Sequence, residues 1–244
     1  MYPTSVRQEA LRLLAEGRSI NSVSGTLGIS RAAIRDWRDN GIDRAAAFDC
    51  PAHPTSPQYA ALFGYYLGDG CRSVVGRAYA LRVSCDSTWP GIVDDVEACI
   101  RAVHPNRPVF RVRAPGAIVV QQYWQHWPCL FPQHGPGRKH ERRLGMADWQ
   151  REIVAAHPGD FLRGLFHSDG ARVRNWTTRM VAGERKRYDY PRWQFVNMSP
   201  EILAWCGEAL DLVDVAWRRS NHKTVSVSRR DAVARLDALI GVKR

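Results

Sequence analysis

The 244-residue sequence is poor in lysine. Only Lys139, Lys186, Lys223 and Lys243 are lysines among 35 basic residues, set against 24 Asp and Glu, so a formal net charge of +11 rests almost wholly on arginine. The planar guanidinium fork pairs two-pronged with phosphate or guanine, and the surplus points to a nucleic-acid partner. Long apolar runs are also missing. No stretch approaches the ~18 apolar residues of a membrane span, and the opening MYPTSVRQEALRLL has no apolar signal core. Neither a transmembrane segment nor a secretory signal is therefore expected, and the chain is expected to be cytoplasmic. The six cysteines (Cys50, Cys71, Cys85, Cys99, Cys129 and Cys206) form no C-x-x-C pair and no zinc spacing with histidine. Buried free thiols are the expectation. At 45% hydrophobic and 24% charged residues, the composition excludes wholesale disorder. The length allows one large domain, or a small and a medium one.

What is present begins with three short helical patterns over residues 5–40: VRQEALRLLAEG, INSVSGTLG and SRAAIRDWRDN. Ala10, Leu11, Leu13 and Leu14 make a stripe on the first, which Gly17 ends. Gly28 suits the tight turn between the second and third helices, and Ser30 is placed to cap the third. Val23, Leu27, Ile29, Ile34 and Trp37 fall where such helices pack. The pattern resembles the helix-turn-helix of transposases, resolvases and homeodomain-like regulators. That resemblance puts Ser30, Arg31, Arg35 and Arg38 on a recognition helix facing DNA, although Asp36 and Asp39 share the surface. A non-DNA three-helix domain would show the same apolar pattern. Residues 42–55 lose periodicity and gather prolines, which reads as a linker after a domain of residues 1–41.

The rest of the chain carries an internal repeat. LFGYYLGDG (residues 62–70) recurs as LRGLFHSDG (residues 162–170), an offset of 100 that also relates Arg72 to Arg172. Each copy is followed by strand-like residues, a helix, more strand-like residues and a final helix. Gly64 and Gly68, like Gly164 and Ser168, are small residues four apart on one helix face, where a second helix could approach closely. Two such helices, apolar almost all round, would pack as a pair and bring Asp69 and Asp169 together at their ends. Carboxylates in such a place are costly unless compensated, and a hard divalent cation supplies compensation. Read alone, each Asp-Gly is equally a helix-ending turn.

Each repeat's opening motif resembles the LAGLIDADG motif of homing endonucleases, and two copies in one chain resemble that family's single-chain, pseudo-dimeric members. The resemblance implies an α+β fold of two pseudo-symmetric αββαββα halves (residues 56–150 and 151–244), whose sheets form a saddle over double-stranded DNA. It also implies a monomer that cleaves DNA with Mg²⁺ or Mn²⁺ and accepts Ca²⁺ as a non-catalytic substitute. The metal would be held by Asp69 and Asp169 together with Gly68 and Ser168. Asn197 matches the polar residue at the end of the second strand, with Ser84 or Asp86 as its first-half counterpart. The assisting base would be Lys223 or Arg229 in the second half and Lys139, from the loop HGPGRKHERR, in the first. Strand alternation puts Ser228 about where that second-half base belongs. The sheets would offer DNA Arg72, Arg77, Arg82, Arg111, Arg113, Arg172, Arg192, Gln194, Arg218, Arg219 and Arg229, with Arg111 and Arg113 sharing a face by period two. His134 and His140 lack a third ligand or the spacing of a histidine metal site, so that loop is expected to touch phosphate. Trp124, Trp127 and Phe131 before it are expected in the core.

A different class also fits. The chain resembles non-catalytic sporulation regulators of actinobacteria that join a LAGLIDADG-type domain to a helix-turn-helix, in the opposite order. Retention of both aspartates favours the enzyme. An intron RNA maturase is disfavoured by the helix-turn-helix, and an intein by the absence of splicing ends. For the nuclease, a mobile gene in a bacterium or phage is the expected setting, with the protein at the nucleoid.

Overall fold

The computed structural model describes residues 4–41, 50–76 and 78–243. The chain divides into two compact units, Met1–Cys50 and Pro51–Arg244. Within the expected linker, residues 42–49 lie outside the described residues, as does Arg77.

The first unit holds α1 (Thr4–Ala15), α2 (Ile20–Leu27) and α3 (Arg31–Asn40). Its core is Ala10, Leu13, Val23, Ile29, Ile34 and Trp37, with Leu11, Leu14 and Leu27 packed against it in part. Local chemistry shapes the α2–α3 turn. Gly28 takes φ +66° and its N–H returns to Ser24, a left-handed cap that costs a glycine little. Ser30 then accepts from the Ala33 amide at 3.3 Å and starts α3.

The second unit repeats one plan. Its first half runs α4 (Pro57–Asp69), β1 (Gly70–Val75), β2 (Ala78–Asp86), α5 (Pro90–Val103), β3 (Phe110–Ala114), β4 (Ala117–Trp124), the single turn α6 (Trp127–Leu130) and α7 (Asp148–Ala156). Its second half runs α8 (Pro158–Asp169), β5 (Gly170–Val181), β6 (Glu184–Val196), α9 (Pro200–Leu212), β7 (Arg218–Asn221), β8 (Thr224–Val227) and α10 (Arg230–Ile240). Each half makes a four-stranded antiparallel sheet, ordered β1-β2-β4-β3 and β5-β6-β8-β7. The helices cover one face of each sheet, burying Leu81, Val83, Val120, Trp193, Phe195, Val225 and Val227; Trp127 and Phe131 are buried and Trp124 partly so. Side chains at alternate positions turn to the opposite, outward face.

The hairpins differ in length. Six residue pairs join β1 to β2, whereas twelve join β5 to β6. Ala182 and Gly183 turn the longer one with φ of 52° and 83°, the positive pair that a tight two-residue hairpin turn requires. Among the cysteines, Cys85, Cys99 and Cys206 are buried free thiols and Cys71 is a free but exposed one. Cys71 pairs with Arg82 in the ladder, and strand alternation turns it outward. Cys50 and Cys129 depart from the free-thiol expectation, being disulfide-bonded. Among the described residues, no helix is long and apolar enough to cross a membrane.

Candidate functional site

The site is built where α4 and α8 touch. Residues 59–67 of α4 are all buried, so this helix runs through the centre of its unit. A Cβ on Gly64 would stand 2.8 Å from the Leu165 nitrogen and nearer still to the Phe161 carbonyl; one on Gly164 would stand 2.8 Å from the Tyr65 nitrogen and nearer still to the Ala61 carbonyl. No side chain fits between these backbones. One turn on, a Cβ on Gly68 would strike Ser168 and come within 3.4 Å of the Asp169 carboxylate. The helix ends therefore converge, and Asp69 and Asp169 close them within electrostatic reach of each other.

The two carboxylates are held differently. Asp169 is half-buried, and its Oδ2 accepts a 2.7 Å hydrogen bond from the Asn197 amide. Loss of hydration pushes its pKa above the usual carboxylate range, while the Asn197 bond and the charges of Lys139 and Lys243 pull it back. Asp69 has an exposed face but is crowded on its other sides. That crowding, followed by the charge of Asp169, pushes it up to about 6 against the same two lysines. The register explains the difference. Gly70 pairs with Val83 and Gly170 with Phe195, so the first-half equivalent of Asn197 is Cys85. Ser84 and Asp86 are the neighbouring positions, one residue out of register and turned to the other face. Cys85 is buried, and its thiol is raised to about 12 by burial and by Asp69.

The two lysines occupy matching places. Lys139 Nζ donates to the carbonyls of Leu67 at 3.0 Å and Gly68 at 2.9 Å, and also to that of Tyr66. Burial lowers its pKa to about 8, with the aspartates opposing. Lys243, after α10, donates to the carbonyls of Gly170 at 3.1 Å and Ser168 at 3.4 Å. Each ammonium thus caps the negative end of one helix. Lys243 was not read from the sequence as a site residue, because it follows the last helix and no motif surrounds it. Its rarity was the available signal, since the chain has four lysines. Lys223 lies exposed in the β7–β8 turn, where its carbonyl accepts from the Asn197 backbone N–H at 3.0 Å. Arg229 pairs with Asp231 at 2.8 Å.

A cleft of about 490 Å³ opens beside Asp169 and Asn197, walled by Gly68, Lys139 and the loop residues His134, Arg138 and Arg142. His134 accepts from the Arg72 amide at 3.3 Å, and burial together with Arg72 and Arg142 lowers its pKa to about 4. It is a neutral wall of the cleft.

Two carboxylates with raised pKa values fit a hard divalent cation, which takes its remaining ligands from water and phosphate. No group of three or more His, Cys, Asp or Glu side chains able to hold a metal occurs among the described residues. The Gly68 and Ser168 carbonyls are engaged by Lys139 and Lys243, and the Ser168 hydroxyl donates to Gly164 at 2.9 Å and Leu165 at 3.0 Å within its own helix.

The register sorts the arginines. Arg82, Arg192, Gln194 and Arg218 share the outward face of the sheets. Arg82 is steadied there by Gln121 at 2.9 Å and Ser73 at 2.6 Å, and Arg192 by Ser226 at 2.7 Å and Ser220 at 2.8 Å. Arg72 and Arg172 turn to the helix side, Arg72 over the Tyr79 ring at 4.8 Å and Arg172 to Asp237 at 2.9 Å. Arg111 and Arg113 share a face, and it is also the helix side. There Arg111 pairs with Glu97 at 2.5 Å and Asp94 at 2.8 Å on α5. Arg219 donates to the His222 carbonyl at 2.9 Å. In the first unit, Arg31, Arg35 and Arg38 are exposed on α3, with Arg38 paired to Asp39 at 2.8 Å. Ser30 is spent as the cap.

No family model matches the chain, and no curated protein matches it. Solved structures similar to it include the N-terminal LAGLIDADG domain of DUF199/WhiA, at 14% identity and TM-score 0.46 over 80% of this chain and 88% of that one. I-DmoI in complex with DNA and Mn is similar at 13% identity and TM-score 0.48, over 78% of this chain and 99% of that one. The LAGLIDADG meganuclease I-AabMI bound to uncleaved DNA is similar at 11% identity and TM-score 0.43, over 75% and 82%.

Proposed function

We propose that the chain is a site-specific endonuclease of double-stranded DNA of the LAGLIDADG type, dependent on Mg²⁺ or Mn²⁺ and acting as a monomer. The observation that carries this reading is the convergence of Asp69 and Asp169 at the ends of two abutting helices. A divalent ion bound there would lower the pKa of a water and stabilise the leaving oxygen of a phosphodiester. Asp69 and Asp169 would hold it, and the Asn197 amide keeps the Asp169 carboxylate in one orientation. Lys139 and Lys243 reduce the repulsion between two carboxylates and an incoming phosphate. The outward face bearing Arg82, Arg192, Gln194 and Arg218 grips the duplex, and Arg31, Arg35 and Arg38 of the helix-turn-helix add contacts.

The test is cleavage of a duplex that the chain binds, selected from a random library. Mg²⁺ is expected to support cutting and Ca²⁺ binding alone, with Asp69→Asn and Asp169→Asn abolishing cutting while leaving affinity within about threefold. A wild-type chain that binds its site and never cuts it overturns the reading. One observation favours a non-catalytic regulator instead: no hydrogen bond from a described residue reaches the Asp69 carboxylate, and Cys85 stands where the second half has its amide. Tight binding without cleavage in Mg²⁺ or Mn²⁺ would select that reading.

A further inference from the structure

Residues 173–192 form a two-stranded ribbon found in the second half alone. β6 meets β8 only at residues 193–196, so the nine pairs from Val173↔Arg192 to Val181↔Glu184 have no third strand beside them. In the first half β2 is covered by β4 along residues 79–86, leaving almost no free ribbon. The second hairpin exceeds the first by six ladder pairs, about 20 Å at a strand rise of ~3.3 Å.

The ribbon's two faces differ. On one, Asp189 lies 3.0 Å from Arg187 and 3.7 Å from Arg174, and Arg187 sits 5.0 Å over the exposed Trp176 ring, so Arg174 and Arg187 are engaged; Arg185, opposite Met180, shares this face. The other face is continuous with Arg192 and Gln194. It carries the cross-strand pairs Asn175↔Tyr190, Thr177↔Tyr188 and Arg179↔Lys186. Arg179 and Lys186 are exposed and make no ion pair with a described residue. A lone hairpin with unpaired edges is marginal in water, and a two-stranded ribbon fits the major groove of DNA, where hydroxyls and amides read base edges.

We propose that this ribbon is an arm that enters the major groove outside the aspartate pair on the second-half side only, so that the bound sequence is lopsided. The added reach corresponds to about six base pairs at 3.4 Å each. The inference rests on the DNA reading above and deepens it.

The experiment is a hydroxyl-radical footprint of the full chain on a site selected from a random duplex library, with binding followed against salt. Protection is expected to extend about six base pairs further on one side of the centre. Arg179→Ala/Lys186→Ala should erase that extension and reduce the steepness of log affinity against log salt by about 2, near 0.9 per lost phosphate contact. Arg185→Ala/Arg187→Ala, on the opposite face, should preserve both. Equal protection on the two sides overturns the arm, as does an equal effect of the two double variants, while the DNA reading stands. A folded chain that binds no duplex DNA overturns the DNA reading and the arm with it.

Discussion

In the second half, Asn197 fixes Asp169 from the end of β6, and a lysine from the first half, Lys139, leans in through the glycine-rich loop that walls a cleft. Across the pseudo-symmetric axis, Cys85 stands in place of the amide, Asp69 opens to solvent, and Lys243 arrives on a short segment after α10. One topology thus carries two unequal centres. The difference teaches that backbone packing at the α4–α8 seam is common property of both halves, whereas side-chain support of each carboxylate is supplied locally.

The seam offers the largest test. Gly64→Val and Gly164→Val each force a branched side chain into a backbone of the other helix. Overpacking of this severity exceeds the usual 1–3 kcal/mol cost, and about 4 kcal/mol or more is expected from either. Equal losses by denaturant unfolding would show the halves equivalent here. Tolerance of one and not the other would break the shared seam.

The next test sharpens the inequality. Asn197→Ala removes the residue that orients Asp169, and, if Asp169 holds the metal of the proposed nuclease, a loss of about 10- to 100-fold in cleavage is expected, the range typical of residues that steady a metal ligand. Cys85→Ala should cost less than threefold, because no hydrogen bond joins Cys85 to Asp69. Rates followed separately on each labelled strand should show Asn197→Ala slowing one strand more than the other. Equal slowing would put the amide's role in folding, not at one centre.

How much of this was legible depends on which physics wrote it. The αββαββα plan was readable because the apolar helices and the paired Asp-Gly motifs repeat at a fixed offset. The α2–α3 turn was readable because only glycine suits the bend at Gly28 at little cost. The resemblance places Asn197 at the end of the second strand, and it does bond Asp169, whereas Cys85 takes the matching first-half position because register, not sequence distance, fixes it. The long ribbon was missed since its turn is Ala182-Gly183, with a non-glycine residue at φ 52°, in place of an Asn-Gly signal. Arg111 and Arg113 were placed on one face correctly by period two, but period alone does not tell the helix side from the outward side when the strand is exposed throughout.

A smaller effect separates the two carboxylates by pH. Asp69 has a folded pKa near 6, above that of an unfolded aspartate (~3.9), so the folded state binds the extra proton between those values. Stability from this group is full below about pH 4 and lost as pH rises through 6. Solvent reaches Asp69, which screens the effect to about 1 kcal/mol. In chelator, Asp69→Asn should therefore stabilise the chain at pH 7.5 by about that amount and flatten its pH dependence between 4 and 6. A destabilised variant at pH 7.5 would mean that the carboxylate is favourably held and the assigned cause is wrong.

The smallest expected effect tests the register itself. Arg172 follows the second motif as Arg72 follows the first, and both turn toward the helices: Arg172 chelates Asp237, which also accepts from the Trp193 indole at 2.7 Å. Arg172→Ala should leave DNA affinity within about twofold and cost under ~1 kcal/mol of stability, the usual worth of an exposed ion pair. Gln194→Ala, from the outward face, should weaken binding to the selected site by about 1–3 kcal/mol at one base position, as expected for a residue that reads a base edge. Were Arg172→Ala to weaken binding more than Gln194→Ala, the face assigned to DNA would be the wrong one. The outward sets in both halves, including Arg82 and Arg192, would then have to be exchanged for the helix-side set together.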